Sequence, residues 1–270
     1  MQAQIVVYST QKEGYEPTEW EDGAASYPVV GTRGSGLSQV RFMVADGATE
    51  TYESRTWVCQ LIGSFMSPDQ VGDVTWPNLD RASMSRWFKS MQERWPLVAP
   101  APRDEIEQAK YDQGTLATFV GGQLAGLDTA RPVWQAVALG DAVLFHVRDG
   151  AKVEHFPPLR SADFDSAPNG IGTLPEWLGQ MSSQLLMREG PLAPGDMIFV
   201  ASDAFAKWMI TCLEADDKTL WPMLGGLVHP SGFIQLVAAQ RRAMAMKDDD
   251  VTLMRIRLLS RPPDTVVVCL

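Results

Sequence analysis

Several apolar runs in this sequence stop at, or start from, a carboxylate. VRFMVA (residues 40–45) ends at Asp46-Gly47, MIFVAS ends at Asp203, VWQAVALG ends at Asp141, and Asp248-Asp249-Asp250 immediately precedes VTLMRIRL. Glu21-Asp22 stand just ahead of another short strand. Each acid alone has an ordinary explanation: Asp-Gly is a turn dipeptide, Asp203 is placed to cap a helix, and residues 248–250 read as a solvated charge run. Their recurrence at strand ends asks for one common explanation. If Glu21, Asp22, Asp46, Asp203 and Asp249 converge, mutual repulsion raises their pKa values unless positive charge compensates. Divalent cations are the natural compensation, and hard oxygen donors favour magnesium or manganese over zinc or copper. The three histidines, His146, His155 and His229, have no HxxxH spacing that would suggest zinc. Gly47, with no side chain, lets its own carbonyl approach an ion held by Asp46. Two metals sharing Asp46 would hold a water between them as a nucleophile aimed in line at phosphorus, with no need of a serine or cysteine.

The elements that must position these acids follow from periodicity. QIVVYS reads as a first strand, a second short strand follows Glu21-Asp22, and the glycines of GTRGSG (31–36) read as a loop between adjacent strands rather than a phosphate cradle. Trp57, Val58, Leu61, Ile62, Phe65 and Met66 recur at helical spacing and predict a helix from about Thr49 to Phe65. A second helix is expected from Asp80 to Trp95, capped by Asp80, with Met84, Trp87, Phe88, Met91 and Trp95 on one face. PLVAPAP (96–102) reads as a loop, and RDEIEQAKYDQ as a short helical stretch. From Gly114 the pattern turns to strands and consecutive hairpins, with Asp149-Gly150 as a hairpin turn and His146 as a structural residue in its strand. Helices are expected over Glu176–Arg188, Asp203–Glu214 and Gly232–Lys247, with Pro194-Gly195-Asp196 as a tight turn into MIFVAS. Strands in groups with helices packed outside them indicate a layered α+β architecture. Residues 1–260 are expected to form one domain and 261–270 a tail.

Composition bounds the partners. The chain has 270 residues, with 23 basic against 33 acidic side chains and a formal net charge of -10, which argues against nucleic acid as a partner. Cys59, Cys212 and Cys269 are far apart, so neither a disulfide framework nor a CxxC zinc site is indicated; Cys59 and Cys212 read as buried fillers on apolar helix faces. The N-terminal residues lack a signal-peptide pattern and no apolar stretch is long enough to span a bilayer. A cytoplasmic protein without membrane partners is the expectation.

The order of the short motifs resembles a known family. Glu21-Asp22, Val44-Ala45-Asp46-Gly47, Gly114-Thr115, Leu139-Gly140-Asp141, Pro194-Gly195-Asp196 leading to Ser202-Asp203, and Asp249-Asp250-Val251-Thr252 are similar, in sequence order, to the metal-dependent type 2C serine/threonine phosphatases, closest to their divergent bacterial members. The resemblance implies a four-layer αββα sandwich, two antiparallel sheets flanked by helices, and hydrolysis of phosphoserine or phosphothreonine in proteins with manganese or magnesium. It implies that Asp46 bridges two metals and the Gly47 carbonyl binds one. Asp203 and Asp249, or its neighbour Asp250, would complete the other site, Glu21 and Asp22 would hold ligands or waters, and Asp141 would support a third metal. The implied partners are a phosphorylated protein and an opposing serine/threonine kinase. Two departures stand out. The arginine that the family places ahead of the Glu-Asp pair is missing, with Lys12 the nearest upstream cation and Arg33, Arg41 and Arg55 the alternatives. Ala48 replaces a histidine able to protonate the leaving group, a loss that typically costs ~100- to 10,000-fold in rate. These departures leave open a weak or inactive module that binds phosphoproteins or regulates a partner. A two-metal nuclease suits the ligands but neither the motif order nor the acidic charge.

Overall fold

β-Branched and aromatic residues dominate the apolar runs, and such residues pack well on pleated surfaces. In a computed structural model, which describes residues 1–16, 19–30, 38–49, 51–66, 78–165 and 169–260, these runs become strands. In chain order the elements are β1 (Gln2–Thr10), β2 (Asp22–Val30), β3 (Ser38–Gly47), α1 (Ser54–Met66), α2 (Arg81–Val98), α3 (Glu105–Gln113) and β4 (Leu116–Ala125). There follow β5 (Val133–Leu139), β6 (Val143–Arg148), β7 (Lys152–Phe156), β8 (Ile171–Gly172), α4 (Leu178–Gln184) and β9 (Leu186–Pro191). The chain continues with β10 (Met197–Ala201), α5 (Asp203–Glu214), α6 (Leu220–Gly225), α7 (Pro230–Arg242) and β11 (Val251–Leu259). One sheet has the order β1-β11-β10-β6-β7 and the other β2-β3-β4-β5-β9, with β8 added to β4. All their pairings are antiparallel.

Three apolar layers separate the four structural ones. Phe42 and Val44 of β3, Ile198 and Val200 of β10, and Met254 and Ile256 of β11 meet between the sheets. The alternate residues point outward: Met43 and Ala45 pack under α1 and α2, while Phe199, Ala201 and Leu253 pack under α5, α6 and α7. Strands buried on both faces read as continuous apolar runs, which is why no polar alternation marks them. The result is the expected αββα sandwich. Asp80 caps α2, accepting from Ser83 N at 2.9 Å. α2 runs through Pro96 to Val98, so the expected loop begins at Ala99, three residues later than Pro96. α1 starts at Ser54 rather than Thr49, because Thr51 turns back onto the Ala48 carbonyl and Glu53 adopts a positive φ of 52°. No helix among the described residues is long and apolar enough to cross a membrane.

Four expectations need correction. β5 and β6 are not a hairpin. The chain leaves one sheet after Leu139 and enters the other at Val143, turning at Gly140, whose φ is +103°; β6 and β7 do pair across Asp149-Gly150. The helix expected over 176–188 stops at Gln184, and Leu186–Pro191 becomes a strand whose backbone groups complete the edge of β5. Tertiary pairing there outweighs local helix propensity. Likewise α7 ends at Arg242, with Met244 in the left-handed region at φ 55°, so residues 243–250 form a turn that includes Lys247. Cys59 is exposed and Cys212 half-buried, so neither is a fully buried filler; Cys59 lies on the solvent side of α1 between Val58 and Leu61, which face the core. Gly31–Gly36 and Arg33 lie outside the described residues, although β2 and β3 on either side do pair.

His146 is structural, as its place in a strand suggests. It is buried in β6, accepts from Trp134 Nε1 at 3.3 Å through Nδ1, and through Nε2 meets Asp196 Oδ2 at 2.9 Å. Asp196 also receives Arg148 Nε at 3.0 Å and Arg148 Nη2 at 2.7 Å, and the backbone N–H of Ala193 at 2.8 Å. Burial opposes its charge, but Arg148, His146 and the Ala193 amide outweigh that and hold the carboxyl below its ordinary pKa. Because removing one partner strands the others, Asp196→Ala should cost about 3 kcal/mol in urea unfolding. The loss should shrink as pH falls through the depressed folded pKa of Asp196, where the wild type also gives up the interaction.

Candidate metal and catalytic site

The candidate carboxylates arrive from both sheets. Asp22 opens β2 and Asp46 lies near the end of β3, directly across the ladder from it. Asp203 begins α5 immediately after β10, and its N-terminal neighbour Ser202 continues the pairing with β11 through Thr252. Asp141 sits at the crossing between the sheets, and Asp249 just before β11. Both sheets therefore end their strands at one place.

Alternation separates the roles of the three consecutive acids. Asp248 Oδ1 accepts from Glu13 N at 3.1 Å and pairs with Arg241 Nε at 3.3 Å. Asp250 is buried, and its two oxygens accept from Lys12 N at 3.0 Å and Glu21 N at 2.7 Å. These two acids fasten the segment between β1 and β2. Asp249 between them does not join this fastening: Lys247 Nζ meets its Oδ2 at 2.5 Å, and its Oδ1 accepts from Asp250 N at 3.0 Å.

The remaining acids share a charge problem. Asp22 is buried, and neither of its oxygens meets a hydrogen-bond partner; the Ser202 and Thr252 hydroxyls are near enough to favour its charged form but not in bonding geometry. Burial, with the charges of Asp203 and Asp250, pushes Asp22 up to about 8. Burial, with the charge of Asp203, pushes Asp141 up to about 7, and its Oδ1 is also buried without a partner. Asp46 is raised well above the carboxylate range by burial and by Asp22, Asp203 and Asp141, and it hydrogen-bonds to Asp203. Asp203 is raised by burial and by Asp249. Two carboxyls can hydrogen-bond to each other only if one carries a proton.

Among the described residues, no three histidine, cysteine, aspartate or glutamate side chains close around a common point in a metal-holding arrangement. The oxygens are engaged in pairs instead, Asp46 with Asp203 and Asp249 with Lys247. The donor set nevertheless fits a hard divalent cation, because Asp22 and Asp141 present buried, unpartnered oxygens and the one ammonium at the cluster, that of Lys247, offsets only part of its charge.

Glu21 stands apart from these acids. It accepts from Ser54 Oγ at 2.6 Å and Thr49 Oγ1 at 3.0 Å and pairs with Lys12 Nζ at 3.5 Å. Gly47 has a packing reason to be glycine beyond its carbonyl: a Cβ there would lie 2.9 Å from Ser54 Cβ and 3.1 Å from the Glu21 carbonyl. Of the alternative cations, Arg41 is buried beside the Phe65 ring, five residues up β3 from Asp46 and so roughly 17 Å away at the strand rise. Arg55 is exposed on α1, and Lys12, which feels Glu21, Asp250 and Asp249, is the cation set among the site's acids from upstream. Lys247, adjacent to the acidic run, is the site residue that sequence reasoning missed; its place next to Asp248-Asp249-Asp250 was the available signal.

This arrangement, strand ends of two face-to-face sheets delivering acids to one rim, defines the fold of the type 2C serine/threonine phosphatases. The catalytic domain of the phosphatase PstP, solved in complex with two manganese ions, superposes with a TM-score of 0.58 at 13% identity over 96% of this chain and 100% of that one. The Mycobacterium tuberculosis phosphatase PstP/Ppp gives 0.57 at 13% identity over 95% and 99% of the two chains. A serine/threonine phosphatase from Staphylococcus aureus gives 0.61 at 11% identity over 96% of each. No protein-family profile matches the sequence, and no curated protein matches it.

The raised carboxyls set a pH dependence. In the unfolded chain Asp22 and Asp141 lose their protons near the ordinary carboxylate value of 3.8, whereas the folded chain keeps them to about 8 and about 7. The folded state thus binds more protons across that window, so stability falls as pH rises from about 4 to about 8. Thermal melts in chelator should show the midpoint dropping over this range, and Asp22→Asn should flatten the decline.

Proposed function

We propose that this protein hydrolyses phosphoserine and phosphothreonine in other proteins, with manganese or magnesium as cofactor. The observation that carries the reading is the set of buried, uncompensated carboxylates at the strand ends of a phosphatase-type sandwich. Asp46, Asp203, Asp249 and the Gly47 carbonyl would hold the ions, with Asp22 and Glu21 supporting them and Asp141 serving a third. The ions would supply the charge that makes water a nucleophile at neutral pH and would offset charge on the phosphoryl oxygens. Glu21, fixed by Ser54, Thr49 and Lys12, would orient the rim from the β2 side. Lys12 is the cation best placed to attract the substrate phosphate. Its partner would be a phosphorylated protein, opposed by a serine/threonine kinase.

Ala48 bears on the rate. It occupies the turn after Asp46-Gly47, where its N–H bonds the Leu116 carbonyl at 2.9 Å, and its methyl has no proton to give. The leaving alkoxide would take its proton from solvent. A second reading, a phosphoprotein-binding module without turnover, is favoured by Ala48 together with Lys247, whose ammonium already pairs with Asp249.

Turnover of a phosphothreonine peptide with manganese should be abolished by chelator and by Asp46→Ala; metal binding without turnover would leave only the binding module. Asp249→Ala should remove metal-dependent turnover, whereas the main effect of Asp250→Ala should be lost stability, because Asp250 holds two backbone amides. Ala48→His should raise kcat by about tenfold or more if proton donation limits the reaction, read in steady-state kinetics with an alkyl phosphoester.

A further inference from the structure

The turn after α7 presents a cation to the acidic rim. Met246 is buried against the α5–α7 layer, which anchors the turn on one side of Lys247. On the other side Arg241 ties down the Asp249 carbonyl and pairs with Asp248, while its Nη1 donates to the Gln11 carbonyl at 3.0 Å. Lys247 is held between these anchors, yet its side chain is 67% exposed and spans only the gap to Asp249 Oδ2.

We propose that the Lys247 ammonium is a built-in counter-ion which occupies Asp249 and must withdraw before a divalent cation binds there. The inference rests on the metal-site reading above. Its geometric basis is the Nζ–Oδ2 contact of 2.5 Å, made on the carboxylate that would serve as a ligand. The rest of the rim feels the same charge: the ammonium favours the ionised forms of Asp203 and Asp141, and Asp249, Asp203 and Asp46 in turn strengthen the hold on its proton. Asp22 supplies an independent sign that a cation belongs at this rim, since its two buried oxygens are left without a partner. One ammonium cannot compensate five carboxylates. A divalent ion brings more charge but finds one ligand taken. Its apparent affinity is therefore reduced by the fraction of molecules in which Lys247 is closed on Asp249.

The test is calorimetric titration of manganese into the intact protein, the Lys247→Gln variant and the Lys247→Arg variant, with melting temperatures in chelator measured alongside. Because Lys247 is exposed, both variants should fold. Lys247→Gln should bind manganese about twofold to fivefold more tightly, the range set by one partly exposed ion pair. Its metal-free form should melt lower than the wild type, while Lys247→Arg, which keeps the charge, should stay near the wild type in both measurements. Unchanged affinity in Lys247→Gln would overturn the counter-ion while leaving the metal site standing. Failure of all three proteins to bind manganese would overturn the metal site and the counter-ion with it. Tighter binding in Lys247→Arg as well as Lys247→Gln would also count against the proposal, because loss of the charge would then not be the cause.

Discussion

Repulsion among carboxylates that the fold itself forces together is the constraint on which the rest of this structure depends. Asp22 and Asp46 face each other across one ladder, Asp203 approaches from the other sheet and hydrogen-bonds to Asp46, and Asp141 stands where the chain crosses between them. Burial alone would push each toward its neutral form, and proximity adds to the effect. Three compensations stand against it: the hydrogen bond between Asp46 and Asp203, the Lys247 ammonium on Asp249, and Lys12 on Glu21. None of them reaches Asp22, which makes it the acid that most needs an external cation.

Much of this was legible in the sequence because the strands are buried on both faces. VRFMVA, MIFVAS and VTLMRIRL announce themselves as apolar runs, and the acid at the end of each is placed by the run's length alone. What stayed hidden were decisions made by partners distant in sequence. Nothing local says that β5 and β6 belong to different sheets, since Gly140-Asp141 reads equally well as a hairpin turn; only the finished edges of the two sheets decide it. Leu186–Pro191 has a helix-like neighbourhood but is claimed by the open edge of β5. The three acids at 248–250 look equivalent on paper, and only the amides of Lys12, Glu13 and Glu21 sort them.

That sorting gives three adjacent acids different roles within a single tripeptide. Asp248 and Asp250 turn toward the segment between β1 and β2 and close it down with hydrogen bonds to backbone, while Asp249 is left for the rim. The same device appears at Ser202-Asp203, where the serine completes the ladder with Thr252 and the aspartate turns to the site. In both places the neighbouring residue fixes the backbone beside the acid that faces the rim.

The apolar layer between the sheets has a bearing on the rim as well. Asp22 and Asp46 belong to one sheet and Asp203 and Asp249 to the other, so the gap between the two pairs is set by Phe42, Val44, Ile198, Val200, Met254 and their neighbours. Interiors packed at crystal-like density pass on a change of even one methylene. The thickness of this layer therefore acts as a spacer gauge for the opening at the rim. Residues with no polar atom in their side chains, some of them several positions up the strand from any acid, thereby help set how far apart the carboxylates of the two sheets stand.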